Sequence, residues 1–191
     1  MKLAGILTVI FAAAAAAVFL MPNEPEALPT VADSLRDVSD LNIIVRKQRR
    51  VLEVYDGERL VKTVPAALGF APEGDKEIEG DGKTPEGDFY VFGKNPKSKY
   101  YLSIGISYPN HEDAERGLAA GLITRAEHDA IVEAIRNKRT PPQKTRLGGE
   151  IYIHGGGAET DWTQGCVAIA NEEIKELFDA VKIGARVRIE P

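Results

Sequence analysis

From Leu41 onward the apolar residues fall in short, β-branched runs separated by turn chemistry, and this pattern restricts the fold more than any other feature of the chain. Leu41 to Val45 and Val51 to Tyr55 read as paired strands joined by the basic turn Arg46 to Arg50. Arg59 to Ala67 reads as a third strand, reached through a turn at Asp56-Gly57. Asp88 to Phe92 and Tyr101 to Ser107 continue the series after a loop rich in Gly, Asp and Glu. Glu150 to His154, Cys166 to Ile169 and Arg186 to Ile189 complete it. Helical signals are fewer. Thr124-Arg125-Ala126-Glu127 is a capping-box sequence, and Ile131, Val132 and Ile135 follow on one helical face until Pro141-Pro142. Asn171 is expected to cap a second helix, with acids in its first turn and Ile174, Leu177, Phe178 and Val181 as its buried stripe. The pattern predicts a mostly β fold with a helical insertion at 111–147 and one helix after the strand that carries Cys166.

The chain opens differently. Leu3 to Met21 is nineteen residues without a charge, preceded by Lys2 and containing six consecutive alanines. At 1.5 Å per residue such a helix would just cross a hydrocarbon layer about 30 Å thick. A buried core helix would need a polar face, which this run lacks. Residues 1–21 are therefore read as a signal peptide or a signal anchor, with Lys2 on the cytoplasmic side. An A-x-A site within the alanines favours cleavage; the Pro22, Asn23, Glu24 and Pro25 that follow favour retention. Residues 22–40, with three prolines, form a linker, and 41–191 form the functional domain. The expected location is outside the cytoplasmic membrane, periplasmic or in the cell envelope, with membrane contact through residues 3–21.

Composition narrows the chemistry. Lys plus Arg number 24 against 29 Asp plus Glu, a net charge of −5, which argues against nucleic acid as partner. One Cys excludes an internal disulfide and a Cys-rich zinc site. In an oxidising compartment a solitary Cys is either an inert buried thiol or a deliberately free one. Cys166 and His154 lie twelve residues apart, in Ile151-Tyr-Ile-His154-Gly-Gly-Gly and Trp162-Thr-Gln-Gly-Cys166. A lone Cys is commonly a small hydrophobe and a lone His commonly structural. Ending one strand and starting the next, with glycines beside each, the two could instead meet at one sheet rim. There the imidazole takes the thiol proton and the thiolate attacks. Gly165 would leave room for a carbonyl to reach the Cys166 N–H as an oxyanion donor, and Gly155 would let the chain pass close to the imidazole. The Gly155-Gly156-Gly157 run is no phosphate loop, since no Lys-Ser/Thr follows it. His111 and His128 belong to the insertion and are expected to be exposed, and no metal is expected.

These residues match a known signature. Thr163-Gln164-Gly165-Cys166-Val167, with His154-Gly155 upstream, resembles the active site of the L,D-transpeptidases, the YkuD-type catalytic domain. Gly82-Lys83-Thr84-Pro85-Glu86-Gly87-Asp88-Phe89 is similar to the Thr-Pro-x-Gly-x-Phe segment of that family. Ile106-Ser107-Tyr108-Pro109-Asn110 and Asp161-Trp162-Thr163 resemble one exported bacterial branch. The resemblance covers about residues 41–190 and implies a β-sandwich catalytic domain acting on peptidoglycan stem peptides without a cofactor. It implies Cys166 as nucleophile and His154 as base and acid, with Gly155 offering the carbonyl that orients the imidazole. Trp162, Thr163, Gln164 and Tyr108 would contact substrate. Three departures stand out: Gln164 where the family often has His, Ala168 where it often has Arg, and a short His-to-Cys spacer that implies a smaller loop over the site. Three readings remain open: a transpeptidase forming 3–3 cross-links or protein attachments, a thiol L,D-carboxypeptidase, endopeptidase or amidase on the same scaffold, and a non-catalytic wall-binding module.

Overall fold

The computed structural model describes residues 35–191, so the apolar leader and most of the linker lie outside the described residues. A short 3-10 turn, Leu35–Asp37, precedes the sheet. The strands are β1 Leu41–Arg46, β2 Val51–Asp56, β3 Arg59–Pro65, β4 Gly87–Ser98, β5 Tyr101–Ile106, β6 Tyr152–His154, β7 Val167–Ala168 and β8 Arg186–Glu190. They form one sheet in the order β3-β2-β1-β8-β4-β5-β6-β7. Strand β4 joins its two halves: Gly87 to Tyr90 pair with β8, and Val91 to Ser98 pair with β5.

The sheet curls until its ends meet. Just beyond β3, Ala67 and Ala168 of β7 exchange both backbone hydrogen bonds, at 2.8 and 2.9 Å. Curling puts alternate side chains of both halves into one core, with Ile43, Val45, Leu52 and Val54 meeting Ile104, Ile106, Ile153 and Val167. Each such Ile, Leu or Val contributes about 1.5–3 kcal/mol by leaving water. Two strand pairs are parallel, β1 with β8 and β6 with β7; the other strand pairs run antiparallel.

The helices are α1 His111–Ala119, α2 Arg125–Arg136 and α3 Asn171–Ala180. The insertion thus holds two helices where sequence reading marked one. Both begin with a capping box, Asn110 with Asp113 and Thr124 with Glu127. The first went unread because its N3 residue is Asp, shorter than the Glu or Gln of the usual signature, and its nine residues bear no clear apolar stripe. The pair encloses a second core of Ala114, Ile123, Ile131 and Leu147.

Two expectations are corrected. His128 is buried rather than exposed, held between Glu115 at 3.0 Å and Asp129 at 2.8 Å, whereas His111 stays exposed. Asn171 is the first helical residue of α3 and not its cap. Ala170 occupies the N-cap and, with only a methyl, makes no side-chain bond, while the Asn171 side chain accepts from Gly156 N.

Candidate active site

Strands β6 and β7 run side by side with Ile153 opposite Val167 and His154 opposite Ala168. The two-residue alternation sends Ile153 and Val167 into the core. It leaves Tyr152, His154 and Cys166 on the other side, lining one cleft of about 510 Å³. The fold therefore gathers the sole thiol and one imidazole at a common mouth.

Three chain segments converge beneath Cys166. Thr163 pairs with residues 68 and 70, its N–H donating to Leu68 O at 3.1 Å and its carbonyl accepting from Phe70 N at 2.9 Å. Asp161 fixes the same strip from the side, accepting from Leu68 N and from Arg50 Nε, each at 2.9 Å. The Thr163 hydroxyl accepts from Gly165 N at 3.1 Å and donates to Cys166 O at 2.7 Å, closing a tight turn before the thiol. Gly165 has φ +128°, and a Cβ there would stand 2.7 Å from the Lys83 carbonyl oxygen. Only glycine fits both the backbone and the space. The Gly82–Gly87 segment is thus the floor under the thiol turn, and buried Thr84 ties it in by accepting from Gly69 N at 2.9 Å.

His154 is 2% exposed. Its Nδ1 lies 2.6 Å from the Gly155 carbonyl, which only accepts, so Nδ1 carries the proton and Nε2 offers the lone pair. Tyr100 stacks on the imidazole with centroids 4.5 Å apart, and Trp162 meets it edge-on at 5.5 Å. Burial is the main force pushing the imidazole below its ordinary range, and the nearby Lys99 charge adds to it, against the opposing bond to Gly155. The neutral ring is therefore its resting form.

Cys166 is half-buried, and its sulfur accepts from Tyr152 N at 3.4 Å and faces the Glu150 carbonyl at 3.5 Å. Burial pushes the thiol up, outweighing the Tyr152 N–H and the positive charges of Lys76 and Lys99. Among the described residues the sulfur's hydrogen-bond partners are backbone groups, and none is the imidazole. The pair thus rests as thiol and neutral imidazole.

Of the other residues singled out from sequence, Trp162, Thr163 and Gln164 line the cleft. Tyr108 does not. It is fully buried, its hydroxyl donates to Leu147 O at 2.9 Å, and it faces a separate cavity beside α1. Sequence reasoning missed Lys97, Lys99 and Tyr100, which the β4–β5 hairpin brings to the rim, and Gln143 and Gly148 to Glu150, by which the end of the insertion walls the cleft. A tandem tyrosine at a hairpin carries no spacing signal that could have found them.

Known proteins resemble this chain in sequence and fold. Residues 40–189 match the YkuD family, described as the L,D-transpeptidase catalytic domain. YafK of Escherichia coli (strain K12) is 27% identical over 150 residues, covering 75% of this chain and 48% of its own. The helical cell shape determining protein Pgp2 from Campylobacter jejuni superposes with a TM-score of 0.56 at 26% identity, over 84% of this chain and 52% of its own. Bd1075 from Bdellovibrio bacteriovorus gives 0.52 at 26% identity, over 80% and 48%. The chain spans about half the length of these relatives. With one family covering nearly all the described residues and its fold shared by two solved structures, the chain belongs to the L,D-transpeptidase family.

Proposed function

We propose that this domain is a peptidoglycan L,D-transpeptidase working through a thioester on Cys166. The single observation that carries the reading is the shared cleft. His154 at the end of β6, with its lone pair on Nε2, and the half-buried Cys166 in the turn just before β7 line the same cavity.

The thiol proton passes to His154 Nε2 as Sγ attacks the L-centre carbonyl of the third stem residue. The Cys166 N–H, which takes no acceptor among the described residues, is the donor offered to the developing oxyanion. The imidazolium then gives its proton to the departing amine as the C–N bond breaks, releasing D-Ala and leaving the thioester. An amine of a second stem, or of a protein, attacks the thioester. Its proton goes to His154 and the thiol is restored. Gly155 holds the ring in the tautomer that this cycle needs. Trp162 and Gln164 border the acyl donor, Thr163 holds the turn before the thiol, and Tyr108 supports the wall from behind through Leu147.

A second reading, a thiol L,D-carboxypeptidase or endopeptidase, is favoured by Ala168. It is fully buried, so the position offers no cation to a stem carboxylate. Water then replaces the amine. The relative Pgp2 is described as determining helical cell shape, and a part in shaping the wall is the corresponding role here. The leader at residues 3–21 would deliver the domain to the envelope.

The test is incubation of the exported domain with purified tetrapeptide muropeptides, read by mass spectrometry. New 3–3 dimers with release of D-Ala, abolished in Cys166→Ala, are the expected result. Release of D-Ala without dimers favours the hydrolase. A Cys166→Ala protein that still forms dimers rules the thioester out.

A further inference from the structure

The residue that failed to cap α3 has another partner. Asn171 Oδ1 accepts from Gly156 N at 3.0 Å. That N–H belongs to the same peptide unit as the Gly155 carbonyl, which accepts from His154 Nδ1 at 2.6 Å. A peptide group is planar, so a bond fixing its N–H also fixes the direction of its C=O. Accepting from one end further draws negative charge toward the other, since hydrogen bonds in a chain polarise one another. The space is filled to match. A Cβ at position 155 would stand 2.4 Å from Asn171 Oδ1 and 2.9 Å from the Tyr100 carbonyl oxygen. Asn171 is itself held in place by α3, whose Ile174 and Leu177 are buried in the main core.

We propose that Asn171 is a positioning residue for His154, acting through the 155–156 peptide: asparagine, peptide and imidazole form a relay that sets the ring's tautomer and orientation. The proposal rests on the reading of His154 as the base. It adds a third member to the Cys–His pair, placed beyond β7 at the first residue of α3. Asn171 touches neither substrate nor thiol. Its bond to Gly156 lies near solvent, so water can replace part of it in a variant, and the effect on rate is correspondingly moderate.

The test is made on the whole domain without substrate, by imidazole ¹⁵N NMR of His154 above its titration range, alongside the pH profile of acylation. The native domain should show the proton on Nδ1. Asn171→Ala should shift the population toward Nε2–H, move the acid limb of the acylation profile to lower pH, and slow acylation about three- to tenfold with KM held. The acid limb moves down because a less polarised Gly155 carbonyl stabilises the imidazolium less. Asn171→Asp keeps an acceptor at the same place and should restore both tautomer and rate. Should Asn171→Ala fail to fold, Asn171→Ser, too short to reach Gly156, gives the same readout. The proposal is overturned if the native ring carries its proton on Nε2, if Asn171→Ala or Asn171→Ser leaves the tautomer unchanged, or if Asn171→Asp behaves like Asn171→Ala. Because the tautomer is read without substrate, these outcomes stand apart from any failure to detect transpeptidation.

Discussion

At the scale of single residues the chemistry depends on two groups that each rest uncharged. Burial raises the Cys166 thiol and lowers the His154 imidazole, so the unliganded site holds no thiolate–imidazolium pair. In the proposed cycle the proton moves only as a carbonyl arrives to take the sulfur's electrons. The consequence is measurable. Alkylation of Cys166 by iodoacetamide in the free domain should rise through an inflection above about 8.5, the ordinary thiol value. His154→Ala should change this alkylation little, while slowing acylation by stem peptide at least about a hundredfold. A fast plateau of alkylation below neutral pH, lost in His154→Ala, would show a preformed ion pair and refute this picture. The residue scale is also where sequence reading reached furthest. A lone Cys, a His beside glycines and their spacing are local signals, and both side chains line one cleft. Tyr108 was misjudged because proximity along the chain to a recognised motif says nothing of direction. Its ring is buried with the main core, and its hydroxyl is spent on the Leu147 carbonyl.

At the scale of elements the helical insertion is joined to itself by charge. His128 of α2 lies between Glu115 of α1 and its own neighbour Asp129, and Glu115 also approaches His111 at 3.8 Å. The bonds to Asp129 and Glu115 raise the His128 imidazole above its ordinary value, against burial and the charge of Arg125. A raised folded-state value means the bonus is complete below about 6.5, the unfolded value, and is lost as pH rises through the raised one. Melting temperature should therefore fall between mildly acidic and mildly basic pH, and His128→Gln should flatten that slope. Parallel curves for the two proteins would remove the clasp from the account. None of this was legible beforehand. His128 occupies a helix face chosen by where α1 lies, and α1 itself was unread. Most strands, by contrast, are legible to within two residues at each end, because β-branched runs and turn chemistry are local; β4 runs on past Phe92 to Ser98 through residues that include no β-branched one. Their order was not visible, since β8 between β1 and β4 is fixed only by long-range pairing.

At the scale of the whole molecule the turn before Cys166 is supported from below by a loop that has no regular structure of its own. Residues 73–86 are tied to the sheet by Lys47 from the β1–β2 turn, a lysine 2% exposed. Its Nζ donates to Gly74 O at 2.5 Å, Thr84 O at 3.0 Å and Glu86 Oε1 at 2.7 Å. Through Thr84 this cation holds Gly69, which flanks the thiol turn, and through the same segment it places the Lys83 carbonyl against Gly165. Removing it would leave two carbonyls and a half-buried carboxylate without their donor. Lys47→Met is expected to cost about 2–4 kcal/mol. In a domain of this size that lowers the melting temperature by roughly 5–15 °C. Lys182→Met, at an exposed position, serves as the control and should stay within about 0.5 kcal/mol. The distinguishing measurement is taken well below both transitions. If Lys47 holds the floor of the site as well as the fold, acylation of Cys166 should already be slowed in Lys47→Met, while the sheet keeps its circular dichroism. A variant that melts early yet acylates at the native rate would confine Lys47 to stability and leave the placement of Gly165 to Thr84 alone.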